Sequence, residues 1–125
     1  MIFDTDILIW VEKDHPLAHR WVNEARERYV SVQTYLELLQ TAKHRLQQVR
    51  SQKYLADLQF QVLPITENIS HRAMTYISEY GLSHGMDAGD ALIAATATIH
   101  NLPLASGNAK HFRAVKNLEL KVFKP

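Results

Sequence analysis

The chain of 125 residues, 46% of them hydrophobic with only 4 glycines and 4 prolines, has the size and composition of one folded unit, and residues 1–125 are read as a single domain. It contains no cysteine, which excludes disulfides, thiolate metal ligands and a cysteine nucleophile, suits a reducing cytoplasm and leaves oxygen or imidazole as the donors for any metal. A net charge of +1 excludes bulk basicity as a mark of nucleic-acid binding, and with no bilayer-length apolar run and no signal-peptide pattern at the start, neither membrane insertion nor export is expected.

The opening MIFDTDILIW reads as a buried strand, Met1–Asp4, followed at once by a helix over about Thr5–Glu12. A second helix covers His15–Arg28, with Pro16 in its first turn and Leu17, Trp21, Val22 and Ala25 on one stripe. Tyr29–Val32 is a short strand. From Gln33, the residues Leu36, Leu39, Ala42, Leu46 and Val49 keep helical spacing, and helical sequence reaches about Gln59. Val62–Ile65 is a third strand. Thr66 caps a helix ending at Tyr80, with Ile69, Ala73, Met74, Ile77 and Tyr80 as its apolar positions and Gly81 as its stop. Asp87 or Asp90 starts a helix through about His100, and Leu104–Ala105 and Leu118–Phe123 supply two last strands.

Strands separated by helices predict an α/β fold with a mainly parallel sheet and right-handed crossovers. Such sheets bind ligands beyond the carboxyl ends of their strands, so the residues that follow each strand carry the functional question.

Three acids stand there at the margin of apolar sequence. Asp4 ends the first strand, Glu37 lies inside TYLELL, and Asp90 opens the small-residue helix of GDALIAATA. Each has a structural use as well. Asp4 can cap the helix that follows it, Asp87 and Asp90 have the spacing of a capping pair, and Glu37 can be a solvated helix residue. Brought together, carboxylates repel one another unless a cation offsets them, and a cluster with no Lys or Arg beside it in sequence suits Mg²⁺ or Mn²⁺. Such ions serve phosphodiester hydrolysis by polarising a phosphoryl oxygen and activating a water. The stretch KHRLQQVRSQK carries Lys43, Arg45, Arg50 and Lys53 with no acid among them. It is either a solvated helix face or a phosphate-facing patch.

Four segments in order, MIFDTDILIW, SVQTYLELL, GDALIAATA and LASGNAKHF, resemble the PIN-domain ribonucleases, most strongly the small VapC-type toxins of bacterial and archaeal toxin–antitoxin pairs. The resemblance spans almost the whole chain. It implies a three-layer α/β/α sandwich and a metal-dependent ribonuclease, with Asp4, Glu37 and Asp90 as catalytic metal-binding acids. It also implies an RNA substrate, a cognate antitoxin and a homodimer, in which the basic helical region is as apt to be a protein contact as an RNA contact. Thr5, Asp6 and Ser106 become supporting residues of the site. The family's fourth acid, where present, falls at Asn108, which offers a carbonyl without charge, and Asp87 can compensate for it. His111 stands where Asp is common before the Phe and is read as a surface residue, while the other histidines show no paired ligand spacing.

Two further readings compete, one an enzyme and one not. Asp4 and Asp6 also resemble the nucleophile and acid/base of haloacid-dehalogenase phosphatases, although no Gly follows Asp6. A receiver-like signalling domain needs an Asp at the end of the third strand, where this chain has Val62–Leu63–Pro64–Ile65. A PIN fold that only binds RNA or protein is the non-catalytic alternative.

Overall fold

The computed structural model describes residues 1–125. Five short strands, β1 (Ile2–Phe3), β2 (Tyr29–Ser31), β3 (Gln61–Leu63), β4 (Leu104–Ser106) and β5 (Leu120–Val122), pair in the order β3-β2-β1-β4-β5, every pair parallel. Seven helices connect them: α1 (Thr5–Glu12), α2 (Pro16–Glu24), α3 (Val32–Thr41), α4 (Arg45–Asp57), α5 (Glu67–His84), α6 (Ala88–Ile99) and α7 (Ala109–Phe112). None is long and apolar enough to cross a membrane.

Alternate residues of each strand face opposite layers, as the pleat requires. Ile2 and Leu104 pack with α5 and α6, among Ile69, Tyr76, Ala91, Ile93 and Ala95. Phe3, Val30, Ala105 and the post-strand Phe123 pack on the other side with Ile7, Leu8, Val22, Leu38 and Leu55 of α1–α4. The result is the expected three-layer α/β/α sandwich. Successive strands run outward from β1 to β2 and β3, then the chain crosses to β4 and β5 on the other side. The order therefore reverses between β1 and β4, which opens a crevice beyond their carboxyl ends.

Several boundaries differ from the sequence reading, each for a local reason. The long helix from Gln33 breaks at Ala42–His44, where His44 is extended and its Nδ1 accepts from Gln47 N at 3.2 Å, capping a new helix. Apolar spacing persists across the break, so periodicity alone conceals it. Arg28 belongs to no helix: its guanidinium donates to the carbonyls of Val22, Asn23 and Leu58, satisfying the ends of α2 and α4, and α2 stops at Glu24. Gly81 does not stop α5; the helix runs to His84 and ends on Gly85, whose φ of 66° is the left-handed turn that glycine takes freely. The third strand is Gln61–Leu63 and the last is Leu120–Val122.

The periodic apolar positions are not all core. Leu36, Leu46 and Val49 of α3 and α4 and Met74 and Ile77 of α5 are solvent-exposed, whereas Leu38, Leu55 and Tyr76 are buried in their place. An apolar residue at helical spacing faces the layer only if its helix lies flat on it.

Candidate metal centre

The carboxyl ends of β1 and β4 meet in one buried interaction. Asp4 ends β1 and caps α1; its Oδ1 accepts from Thr5 N at 2.7 Å and its Oδ2 accepts from the Ser106 hydroxyl at 2.7 Å. Ser106 Oγ in turn accepts from Asn108 N at 2.9 Å, tying the turn after β4 to the same carboxylate. Asp4 is only 4% exposed. Burial, then the neighbouring charge of Asp6, pushes its carboxyl up to about 7, against the pull of the Ser106 and Thr5 hydrogen bonds, and Asp90 pushes it further the same way.

Asp6 faces the same turn. Its Oδ2 accepts from Gly107 N at 2.8 Å, while its Oδ1 is buried with no hydrogen-bond partner. Burial raises its carboxyl above the ordinary range, opposed by the amides of Gly107, Ile7 and Asp6 itself. A side chain at Gly107 would place Cβ 2.7 Å from Asp6 Oδ2 and 3.3 Å from Phe123 O, so anything larger than glycine must push Asp6 aside and crowd that carbonyl.

The other wall of the crevice is helical. Ser31 ends β2 and caps α3 through Thr34 N, which aims the first turns of α3 over β1. The Thr5 hydroxyl donates to Glu37 Oε1 at 2.6 Å and lies 3.1 Å from Thr34 Oγ1. Asp87 and Asp90 form a capping box on α6: Asp90 N donates to Asp87 Oδ1 at 2.9 Å, and Asp87 N donates more loosely to Asp90 Oδ2 at 3.4 Å. Asp90 is half-buried, and burial together with the Asp87 charge raises its carboxyl, opposed by the Asp87 amide and by His111. Gly89 lies where Glu37 and Asp87 close together, since a Cβ there would stand 3.3 Å from Glu37 Oε2 and 3.4 Å from Asp87 Oδ1.

Asp4, Thr5, Asp6, Glu37, Asp87, Asp90 and Ser106 are thus gathered at one edge of the sheet, with Asn108 joined through its backbone. Lys43, Arg45, Arg50 and Lys53 are not in contact with these acids. Lys53 pairs with Asp57 at 2.9 Å, Arg45 bonds Gln48, and Arg50 lines a separate cleft of about 380 Å³ with Val11, Glu12 and Tyr54, beside the far end of α1.

Sequence reasoning passed over Gln33, Thr34 and Gly107, which shape the crevice, and treated His111 as a surface residue. His111 is half-buried: the short α7 folds back on α6 and sets its Nδ1 2.9 Å from Asp90 Oδ2. No periodic signal marks such a contact across 21 residues of chain; only the neighbouring LASGNAKHF, so close behind a strand end, points to the crevice.

No three Asp, Glu or His side chains converge into a finished cage as they stand. The donors nevertheless fit a hydrated hard cation, because Mg²⁺ retains several waters and takes only one or two carboxylates directly. Asp6 Oδ1 is a buried acceptor without a donor, and no Lys or Arg pairs with Asp4, Asp6, Glu37 or Asp90. A divalent cation would offset the burial, and the added charges of Asp6 and Asp90, that raise the Asp4 carboxyl.

Comparison with known proteins agrees with this architecture. Residues 1–118 match the family model described as PIN domain. The chain is 34% identical to "Ribonuclease VapC10" of Mycobacterium tuberculosis over 95% of this chain and 90% of that protein. Among solved structures, a toxin–antitoxin complex from Klebsiella pneumoniae superposes with a TM-score of 0.80 at 28% identity, covering 94% of this chain and 93% of that one. VapBC2 from Rickettsia felis, bound to a DNA fragment from their promoter, also gives 0.80, at 20% identity, over 99% of this chain and 100% of that one, and speaks for the fold alone. The chain belongs to the PIN domain family.

Proposed function

We propose that this chain is a VapC-type ribonuclease toxin that hydrolyses RNA phosphodiester bonds with Mg²⁺ or Mn²⁺ in the cytoplasm and is held by a cognate antitoxin. The observation that carries the reading is the set of carboxylates from the end of β1, α3 and α6 at the crevice between β1 and β4, with no lysine or arginine paired to Asp4, Glu37 or Asp90. The ribonuclease name of the mycobacterial relative and the toxin–antitoxin complex of the Klebsiella structure support it. Family membership also sets aside the phosphatase and receiver readings. In the phosphatase reading Asp6 would have to reach a leaving group, whereas its Oδ2 is committed to Gly107 N.

Asp4, Glu37 and Asp90 are the residues that would hold the ion. When bound, the ion polarises a phosphoryl oxygen and lowers the pKa of an attacking water. Without it the acids would repel the polyanionic substrate, so the same carboxylates that bind the cation also make RNA binding depend on it. Ser106 and the Thr5 amide fix both oxygens of Asp4. The Thr5 hydroxyl orients Glu37, and Asp6 holds the Gly107 turn that brings Asn108 to the rim. Asp87 fixes the start of α6 and hence Asp90.

The exposed apolar residues Leu36, Leu46 and Val49 of α3 and α4 support a protein contact on that face, either homodimer or antitoxin. The cations of the same region, Lys43, Arg45, Arg50 and Lys53, fit RNA guidance less well, because they lie apart from the acids and Lys53 is already paired.

The test is RNA cleavage with Mg²⁺, Mn²⁺ or EDTA by the wild type and Asp90→Asn. Cleavage lost on chelation and in the variant is expected. RNA binding without turnover under any metal would make the chain a binding module instead.

A further inference from the structure

The contact between His111 and Asp90 is the one feature of the crevice that the reading above leaves unused. His111 Nδ1 lies 2.9 Å from Asp90 Oδ2, yet the ring is not aligned to donate a hydrogen bond and Nδ1 is buried without any other partner. Two acceptor lone pairs held that close repel unless something positive lies between them. A proton is one candidate, but misalignment weakens a hydrogen bond steeply. A metal ion is the other. In an octahedral site with donors at about 2.1 Å, adjacent donors stand about 3.0 Å apart, so this nitrogen and this oxygen are spaced as neighbouring ligands of one ion.

The ring is held there by the backbone. His111 N donates to Asn108 O at 3.0 Å, and Asn108 N donates to Ser106 Oγ, which donates to Asp4. The turn after β4 therefore ties the backbone that carries His111 to the Asp4 carboxylate. Asn108, by contrast, brings no charge to this side of the site.

We propose that His111 is a direct imidazole ligand of the ion held at Asp90, and that it shifts the site's preference from Mg²⁺ toward transition-metal ions. Carboxylates and water suit Mg²⁺, whereas imidazole adds affinity along the series from Mn²⁺ to Co²⁺ and Ni²⁺. The inference rests on reading the acids as a cation site, and the test separates the two claims.

Pulsed electron paramagnetic resonance of the full chain loaded with Mn²⁺ reports a directly bound nitrogen. Calorimetric titration with Mg²⁺ and Co²⁺ reports preference. The wild type should show imidazole nitrogen coupling to Mn²⁺. His111→Ala should lose that signal and about tenfold in Co²⁺ affinity, with Mg²⁺ affinity changed little. His111→Asp should lose the nitrogen signal and gain Mg²⁺ affinity. Mn²⁺ bound to the wild type with no nitrogen coupling overturns the proposal while leaving the cation site standing, and this outcome does not depend on whether any variant folds. Wild type that binds none of the three ions overturns both.

Discussion

The two walls of the crevice are built differently. On the sheet side, Asp4, Ser106, Gly107 and Asp6 lock together at the ends of β1 and β4, with Asp4 and Ser106 almost wholly buried. On the helical side, Glu37, Asp90 and His111 are partly buried, and their contacts are a threonine hydroxyl, a capping box and a misaligned ring. The sheet wall is held by strand pairing at Ser106 and by the hydrogen bonds of Asp4 and Asp6 to Thr5, Ser106 and Gly107. The helical wall has side chains that can rotate by small angles to meet one. In the proposed function, one fixed and one adjustable wall would let ion and phosphate arrive together.

The largest effect should separate the walls. Asp4→Asn is expected to abolish RNA cleavage, a loss on the order of 10³-fold, since an ion's contribution is several kcal/mol of transition-state stabilisation. In EDTA at pH 7 the same variant should melt higher than the wild type, because it removes a buried charge that the fold disfavours. Asp90→Asn should lose comparable activity with a smaller rise in melting temperature, because burial raises its carboxyl too but the Asp87 amide and His111 oppose it. Equal thermal effects from the two would break the contrast between fixed and adjustable walls.

Ser106→Ala leaves a buried Asp4 oxygen and the Asn108 amide without their partner, and should cost about 1–3 kcal/mol in denaturant unfolding. The hydroxyl also holds the Asp4 carboxyl down, so its loss should raise that carboxyl further and weaken activity most at mildly acidic pH. Gly107→Ala forces Asp6 aside and should cost about 1–3 kcal/mol by overpacking, with activity falling along with the turn. At the other extreme, Lys53→Ala removes an exposed ion pair and should change stability by no more than about 0.5 kcal/mol, without altering cleavage.

The fold was legible because each parallel strand needs a helical crossover, and strand and helix periods differ. The candidate acids were legible because Asp4, Glu37 and Asp90 interrupt apolar text, where a charge requires an explanation. What the text does not hold is contact between distant turns. Asp6 facing Gly107 and His111 facing Asp90 depend on how β4 and α7 fold over β1 and α6, and neither leaves a period in the sequence. Arg28 is similar: a lone basic residue reads as helix surface, yet it closes two helices by binding their carbonyls. The exposed Leu46, Val49 and Met74 show the reverse error, since spacing marks a face without saying what covers it.

Whether the acids at the β1–β4 crevice bind a cation is read out by thermal unfolding against pH, with and without Mn²⁺. Asp4 titrates near 7 in the folded chain against an ordinary value of 3.8, so the folded state holds the proton more tightly than the unfolded one. The corresponding stability is fully present below about 4 and is lost as pH rises toward 7. The metal-free wild type should lose stability across that window relative to Asp4→Asn, and Mn²⁺ at pH 7 should raise the melting temperature of the wild type but not of Asp4→Asn. Parallel pH curves for the two proteins, or the same Mn²⁺ response in both, would contradict a cation site there.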